Sequence, residues 1–347
     1  DEELRRILEG VIEKQAQFVC IDAYANAFNE SNNGAGHKDD TLQNDHVWER
    51  KYEVDSLCAP LYLAHTYYKT TGSEKIFTDS FHEMIRCVAR VFRTEQDHRQ
   101  SEYSFQRYDA PVTDTLPRSG WGRPVNVTGM TWSGFRPSDD CCTFGYLIPA
   151  NMMAEKALKY AAEFSHSGYR DEELAAECEK LSEEIGDGIR TYGTVLHPKY
   201  GRIYAYETDG FGNYNLMDDA NSPGLLAMPY LDYCKKDDPL YRNTRRFVLS
   251  EDNPYYYSGT IAKGVGSPHT PEGYVWHIGI IMQALTSDDR KEILGCLDLL
   301  SKTHAGTGYM HESFDPDDPE KYTRPWFAWA NTLFAELLTN LKEENFF

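Results

Sequence analysis

The strongest constraint on this chain is one pattern repeated along it. An amphipathic run of helical period is followed by a loop in which glycines and aromatic rings stand beside carboxylates. Repeats of that kind leave little room for a sheet-based fold. The stretch Gly129-Met-Thr-Trp-Ser-Gly-Phe-Arg-Pro-Ser-Asp-Asp-Cys-Cys-Thr-Phe-Gly-Tyr-Leu-Ile-Pro-Ala-Asn151 shows the pattern most fully. It turns at Pro137, and Ser138, Asp139 and Asp140 then read as N-cap and first-turn residues of an apolar helix running to about Glu163. Carboxylates at a helix entrance beside Trp132, Phe135 and Arg136 sit where an acid can be tuned. A capping box ahead of an ordinary core helix is the structural alternative. A second acidic loop of the same texture, Gly306 to Asp315, places Glu312 between His311 and Ser313. Two such loops, each near a helix, are what a pair of acid/base carboxylates requires.

Taken in order, the periodicity predicts a first helix carrying Leu4, Ile7, Leu8, Val11 and Ile12 and ending near Val19, then a polar loop from Asp22 to Asn44. Asp55 or Ser56 is the expected N-cap of a second helix, which continues through Leu57, Leu61 and Ala64 towards Tyr68. A third helix is expected over Glu74 to Thr94, and a long excursion over Ser101 to Thr128. After the Asp139 helix come an amphipathic helix from Asp171 to Tyr192 and a short hairpin within Gly201 to Gly212. Ser222 and Pro223 are expected to cap and open another helix. Further helices are expected near Leu240 to Leu249, Tyr274 to Leu285, Asp289 to Lys302 and Arg324 to Leu341. The Gly-rich loop Gly259 to Thr270 lacks the Gly-Lys-Ser/Thr sequence and preceding strand of a phosphate cradle. About ten helices in consecutive pairs, with short strands confined to loops, point to an all-α (α/α)6 toroid of helical hairpins. A closed toroid needs twelve helices, so the first pair is expected to be missing from this chain. One catalytic domain spanning residues 1–347 is expected.

Composition narrows the partners. A net charge of −20 argues against nucleic acid, whose binding relies on clustered Lys and Arg, and against anionic membrane surfaces. No run of 18 apolar residues is present, so no spanning segment is expected. Stacking rings beside carboxylates and amides suit a neutral polar ligand such as a sugar, and an aromatic-rich core is the plainer explanation of the same composition. The eight cysteines show no CxxC pair. Cys58, Cys87, Cys178 and Cys296 fall in apolar helical patterns and read as core residues, and adjacent Cys141 and Cys142 are expected on a helix, pointing apart. Reduced thiols favour the cytoplasm, with a secreted or periplasmic setting left open. Asn126-Val127-Thr128 and Asn29-Glu30-Ser31 match the glycosylation sequon. The one metal-like spacing, His37-Lys38-Asp39, has no HxxxH beside it, so neither a metal nor any other cofactor is expected. A monomer is expected.

The loops Trp48 to Asp55, Gly134 to Asp140, Asp218 to Pro223, Gly266 to His269, His311 to Asp315 and Arg324 to Asn331 resemble, in residues and in order, those of glycoside hydrolase family 125, from about residue 9 to about residue 341. The resemblance implies an (α/α)6 barrel and an exo-acting α-1,6-mannosidase that releases non-reducing terminal mannose from an α-mannoside oligosaccharide, inverting and metal-independent. An upstream Trp-Leu-Arg-Asp-Ser motif of that family has no counterpart here. By resemblance the general acid lies in Ser138-Asp139-Asp140, with Asp139 favoured and Asp140 the second choice, and the general base is Glu312. Arg136, Asp140, Asp218, Asp219, Asn221 and His269 are candidates to hydrogen-bond the sugar, and Trp132, Trp326 and Trp329 to stack on it. Arg50 and Asp55 are candidate sugar ligands, or members with Tyr52 of a buried ion network. An acid has to hold its proton, which burial beside aromatics promotes, while a base stays ionised near polar partners such as His311 and Ser313. An inverting pair needs its carboxyl groups roughly 6.5–9.5 Å apart. The alternatives are an inactive mannoside-binding protein, a sugar epimerase or isomerase on the same toroid, and a metal-dependent α-mannosidase.

Overall fold

Nine α-helices form among the described residues, and the strands between them are two to four residues long. The structure is a computed structural model that describes residues 1–346. The chain divides into two compact units, Asp1–Gly193 with Glu207–Tyr214, and Thr194–Tyr206 with Asn215–Phe347. No helix is long and apolar enough to cross a membrane among the described residues.

The first unit holds α1 (Glu2–Ile21), α2 (Val54–Thr71), α3 (Asp79–Glu95), α4 (Ile148–Phe164) and α5 (Glu172–Tyr192). Their packing follows their patterning. In α3 the buried residues Phe81, Met84, Ile85, Val88, Val91 and Phe92 recur every three or four positions, and Thr78 caps the helix by accepting the Phe81 N–H. Burying each Phe stabilises the unit by roughly 1.5–3 kcal/mol. α1 packs on α3 and α3 on α5, while α2 packs on α4. α1 with α2, and α4 with α5, join these into two layers. α4 is buried over most of its length, as a helix between neighbours is. Strands β1 (Ala27–Phe28) and β2 (Val47–Glu49) pair antiparallel, and β3 (Tyr146–Leu147), β6 (Glu207–Thr208) and β7 (Tyr214–Asn215) form a small sheet in that order.

In the second unit α7 (His277–Leu285) packs on α8 (Arg290–Lys302) and α9 (Ala328–Glu343), and α6 (Pro239–Val248) lies on the hairpin β4 (Thr194–His197)–β5 (Gly201–Tyr204). β8 (Tyr256–Ser258) and β9 (Lys263–Val265) make a second hairpin. β10 (Val275–Trp276), β11 (Ser313–Phe314) and β12 (Tyr322–Thr323) form an antiparallel sheet. β10 runs directly into α7, and β12 precedes α9.

Most predicted helices are found within a few residues, and Cys58, Cys87, Cys178 and Cys296 are buried as expected. Three boundaries differ. Asp139 and Asp140 do not cap α4, which starts at Ile148 with Pro149 in its first turn. The intervening backbone is held by other acceptors, the Thr143 and Phe144 N–H groups by Glu207 and the Cys141 N–H by the Thr113 carbonyl, so Cys141 and Cys142 lie in a loop. α2 is capped at Glu53, which puts Asp55 in its first turn. No helix opens at Ser222; the Ser222–Pro223 bond is cis, and the segment is a series of turns tied to Asp218.

Candidate functional site

Four of the resembling loops lie ahead of helices or run into them: Trp48 to Asp55 runs into α2, Gly134 to Asp140 lies ahead of α4, Gly266 to His269 ahead of α7, and His311 to Asp315 ahead of α9. Each is fixed by contacts that the helix alone does not supply. In the first unit the Tyr52 carbonyl accepts from both Gly134 N–H and Phe135 N–H, at 3.1 and 3.0 Å, which joins two of the loops. Asn151, one turn into α4, bonds the Thr131 N–H and carbonyl and so ties the start of the Asp139 loop to that helix.

Residues 136 to 140 form a tight turn, with Asp139 N–H donating to the Arg136 carbonyl at 2.9 Å and Arg136 N–H to the Asp140 carbonyl at 2.8 Å. Asp139 sits there at φ 71°, a left-handed conformation that costs a non-glycine residue on the order of 1–3 kcal/mol. Its side chain is 42% exposed, whereas Asp140 is buried at 4%. Of the two, Asp139 is the one an incoming substrate can reach.

The surroundings of Asp139 are dense in charge. The Asn26 amide donates to Glu49 at 3.0 Å and to Glu53 and Asp139 at 3.4 Å each. Lys51 is buried and donates to the Asp139 carbonyl at 2.9 Å and to Asp114, with its Nζ 3.9 Å from the Asp139 carboxylate. Arg107 gathers Asp39, Glu49 and Asp114 at 2.7–3.0 Å, so Asp39 is committed to that cation. Burial opposes ionisation of Glu49, but Lys51 and the bonds from Arg107 and Asn26 outweigh it and hold its carboxyl below the usual range. Glu53 and Asp55 lie on the other side of this balance. Burial, then repulsion from Asp55 and Asp139, pushes Glu53 well up.

Asp55 is half-buried, and its Oδ1 is sealed from solvent with no hydrogen-bond partner. Burial and the charge of Asp139, opposed by a backbone N–H, push it up to about 7. Its carboxyl in the unfolded chain titrates near about 3.9. The folded state therefore holds a proton that the unfolded chain releases between those values, and the stability this gives is present at low pH and lost as pH rises through about 7. Asp55→Asn is expected to gain stability against the parent between about pH 5 and pH 8, by up to roughly 1.4 kcal/mol per pH unit. Thermal melts of both proteins across that range measure it, and a difference independent of pH would refute it.

Several predicted ligands of the first unit also hold contacts within the protein. Arg50 is paired with Asp22 at 2.7 Å and lies over the rings of Tyr24 and Tyr103, and Asp55 is not part of that network. Trp132 is buried in a stack against His98, with ring centroids 3.6 Å apart. Arg136 is buried against Glu207 at 2.7 Å, and Glu207 also accepts the Thr143 and Phe144 N–H groups.

In the second unit Glu312 is 5% exposed and pairs with Arg324, whose Nε lies 3.2 Å from Oε1. The expected polar neighbours face elsewhere. His311 stacks on Tyr322 and bonds the Pro325 carbonyl, and the Ser313 hydroxyl bonds Thr323. Asp218 accepts the Leu225 and Leu226 N–H groups at 2.7 and 2.9 Å, one on each oxygen, and burial still pushes its carboxyl up to about 8. Asp219 and Asn221 are buried in the same turn, where a Cβ on Gly224 would come within 2.9 Å of the Asn221 and Asp219 carbonyls. His269 is half-buried in a loop that Trp276 pins by donating its indole N–H to Thr270. Trp326 and Trp329 are exposed at 59% and 64% and remain open to stacking. Sequence reasoning did not single out Asn26, Lys51, Glu53, Glu207 or Arg324. Asn26 and Asp139 are 113 positions apart, and no local pattern joins them.

The model of the metal-independent α-mannosidases, glycoside hydrolase family 125, matches residues 1–339. The meiotically up-regulated gene 157 protein of Schizosaccharomyces pombe is 40% identical over 364 aligned positions, covering 99% of this chain and 71% of that protein. A solved structure of a Streptococcus pneumoniae metal-independent α-mannosidase, in a non-productive complex with α-1,6-mannobiose, is 46% identical at a TM-score of 0.95 and covers 97% of this chain and 80% of that one. A bacterial glucoamylase complexed with acarbose is 12% identical at a TM-score of 0.60, covering 86% of this chain and 42% of that chain, which is a likeness of fold.

Proposed function

From the membership of this chain in glycoside hydrolase family 125, the metal-independent α-mannosidases, we propose that it is an exo-acting enzyme that cleaves non-reducing terminal α-1,6-linked mannose from glycans with inversion. The single observation that carries the linkage is the α-1,6-mannobiose bound in the Streptococcus pneumoniae relative, 46% identical to this chain. In this reading the helices belong to one (α/α)6 catalytic domain that acts as a monomer. The fold likeness to a glucoamylase supports the helical toroid.

Asp139 is the general acid and Glu312 the general base. Protonated Asp139 gives its proton to the glycosidic oxygen as the C1–O bond breaks. Glu312 takes a proton from the water whose oxygen bonds to C1 from the opposite face, through an oxocarbenium-like state. The products are β-mannose and a protonated leaving alcohol, with Asp139 ionised and Glu312 protonated until solvent resets both. The exposure of the Asp139 side chain supports its assignment over Asp140. Arg324 supplies the countercharge beside Glu312. Asp140, Asp219, Asn221 and His269 remain the candidates to bind sugar hydroxyls, and Trp326 and Trp329 to stack. Arg50, Trp132, Arg136 and Asp218 hold the loops.

Proton NMR of the anomeric signals during hydrolysis of α-1,6-mannobiose, with a chelator present, tests the reading. Early β-mannose is the expected product. Early α-mannose would overturn the single displacement, and loss of turnover on chelation would overturn metal independence.

A further inference from the structure

His277 is the first residue of α7 and has no exposed surface. It is a polar ring among the buried apolar residues Ile278, Ile280, Ile281 and Met282, where burying unpaired nitrogens would be costly. Both nitrogens are in fact engaged. Nδ1 lies 2.9 Å from the His311 backbone nitrogen, and Nε2 lies 3.0 Å from Thr303 Oγ1. The Thr303 hydroxyl donates to the Leu299 carbonyl at 2.9 Å, so towards the ring it is an acceptor. The Thr303 contact places the ring proton on Nε2, so that the Nδ1 lone pair receives the His311 N–H; the His311 carbonyl oxygen, 3.0 Å from the same Nδ1, takes the bond in the other tautomer, and in both the ring holds the His311 backbone. Burial lowers His277 to about 3, which keeps the ring singly protonated and this arrangement fixed.

Glu312 is the next residue after His311. On its other side Ser313 is registered opposite Trp276 across β10 and β11, and its N–H donates to Thr323 at 3.2 Å. Trp276 immediately precedes His277, so one junction of the chain, residues 276 and 277, holds both flanks of Glu312. Pairing across the sheet secures the Ser313 side. Among the described residues only the His277 ring meets the His311 N–H.

We propose that His277 is a positioning residue for Glu312: its Nδ1, within 2.9 Å of the nitrogen and 3.0 Å of the carbonyl oxygen of His311, fixes the backbone of the residue immediately before Glu312. The inference rests on the reading of Glu312 as the base. A misplacement of about 1 Å in a reacting group costs on the order of 10²-fold in rate.

The test compares His277→Phe, His277→Asn and Glu312→Gln with the parent chain for kcat, KM and thermal midpoint, using α-1,6-mannobiose. Phe keeps a ring and removes the acceptor; Asn restores an acceptor near the Nδ1 position and gives up the Thr303 bond. Folded His277→Phe is expected to lose about 30-fold or more in kcat with KM within about threefold, and His277→Asn to stay within about fivefold of the parent in kcat. Equal kcat losses in both folded variants, or an unchanged kcat in His277→Phe, would overturn the proposal. Should His277→Phe fail to fold, His277→Asn decides alone: within about fivefold supports the role and a loss of about 30-fold or more refutes it. Glu312→Gln separates the two claims. If it turns over like the parent, the base assignment is wrong, whereas a silent Glu312→Gln beside a fully active His277→Phe sinks only the positioning role.

Discussion

Glu312→Gln is expected to lower kcat on α-1,6-mannobiose by about 10³-fold or more, with KM changed little. A glutamine keeps the volume of Glu312 and an oxygen for Arg324 Nε, but it cannot take a proton from water at neutral pH. In a single displacement the attacking water has no other activation, so the loss falls on the chemical step and not on binding. Substrate affinity that stays near that of the parent while turnover disappears is the signature to look for. A variant that loses affinity and rate together would instead mean that Glu312 binds the sugar, and parental turnover would remove it from the mechanism.

Asp139→Asn is expected to show a loss that depends on the leaving group. On α-1,6-mannobiose, whose departing alkoxide needs a proton, the fall should be on the order of 10²–10⁴-fold. On a dinitrophenyl α-mannoside, whose departing phenolate does not, it should shrink to less than about tenfold. The comparison also decides between neighbours. If Asp140 were the donor, Asp140→Asn would show this dependence and Asp139→Asn would not. The turn argues for Asp139: Arg136 and Asp140 close it through their backbones, which leaves Asp139 at its tip in a left-handed conformation and with the more exposed carboxylate. The asparagine variant also tests whether the charge cluster is balanced around an acid. Lys51 and Arg107 are outnumbered there by Asp39, Glu49, Glu53, Asp55, Asp114 and Asp139, and burial of Glu53 and Asp55 already favours their protonated forms.

Much of this protein was readable from its residues. The patterning of α2 and α5 placed those helices because burial acts through a period of 3.6, which a sequence displays directly. The residues and order of the loops carried the resemblance to the family, and the family match bears that out. The start of α4 was misread for a physical reason. Ser138, Asp139 and Asp140 are good capping residues, but the backbone that would have begun the helix is taken by Glu207 and Thr113, which lie far away in sequence. The same holds for roles. Arg50, Trp132, Arg136 and Asp218 have the chemistry of sugar ligands, and each also meets a distant or buried partner that no local pattern announces.

The sequence by itself therefore determined the helical class, the family and the two carboxylate loops, since these depend on periodicity and on residues close together along the chain. Tertiary structure alone decided which side chains hold the loops and which are left to act. Asn26 reaches Asp139, Arg136 reaches Glu207, and His277 reaches the backbone of His311, across 113, 71 and 34 positions. Whether a carboxylate is a framework acceptor or an accessible acid is set by partners that only folding brings within about 3 Å.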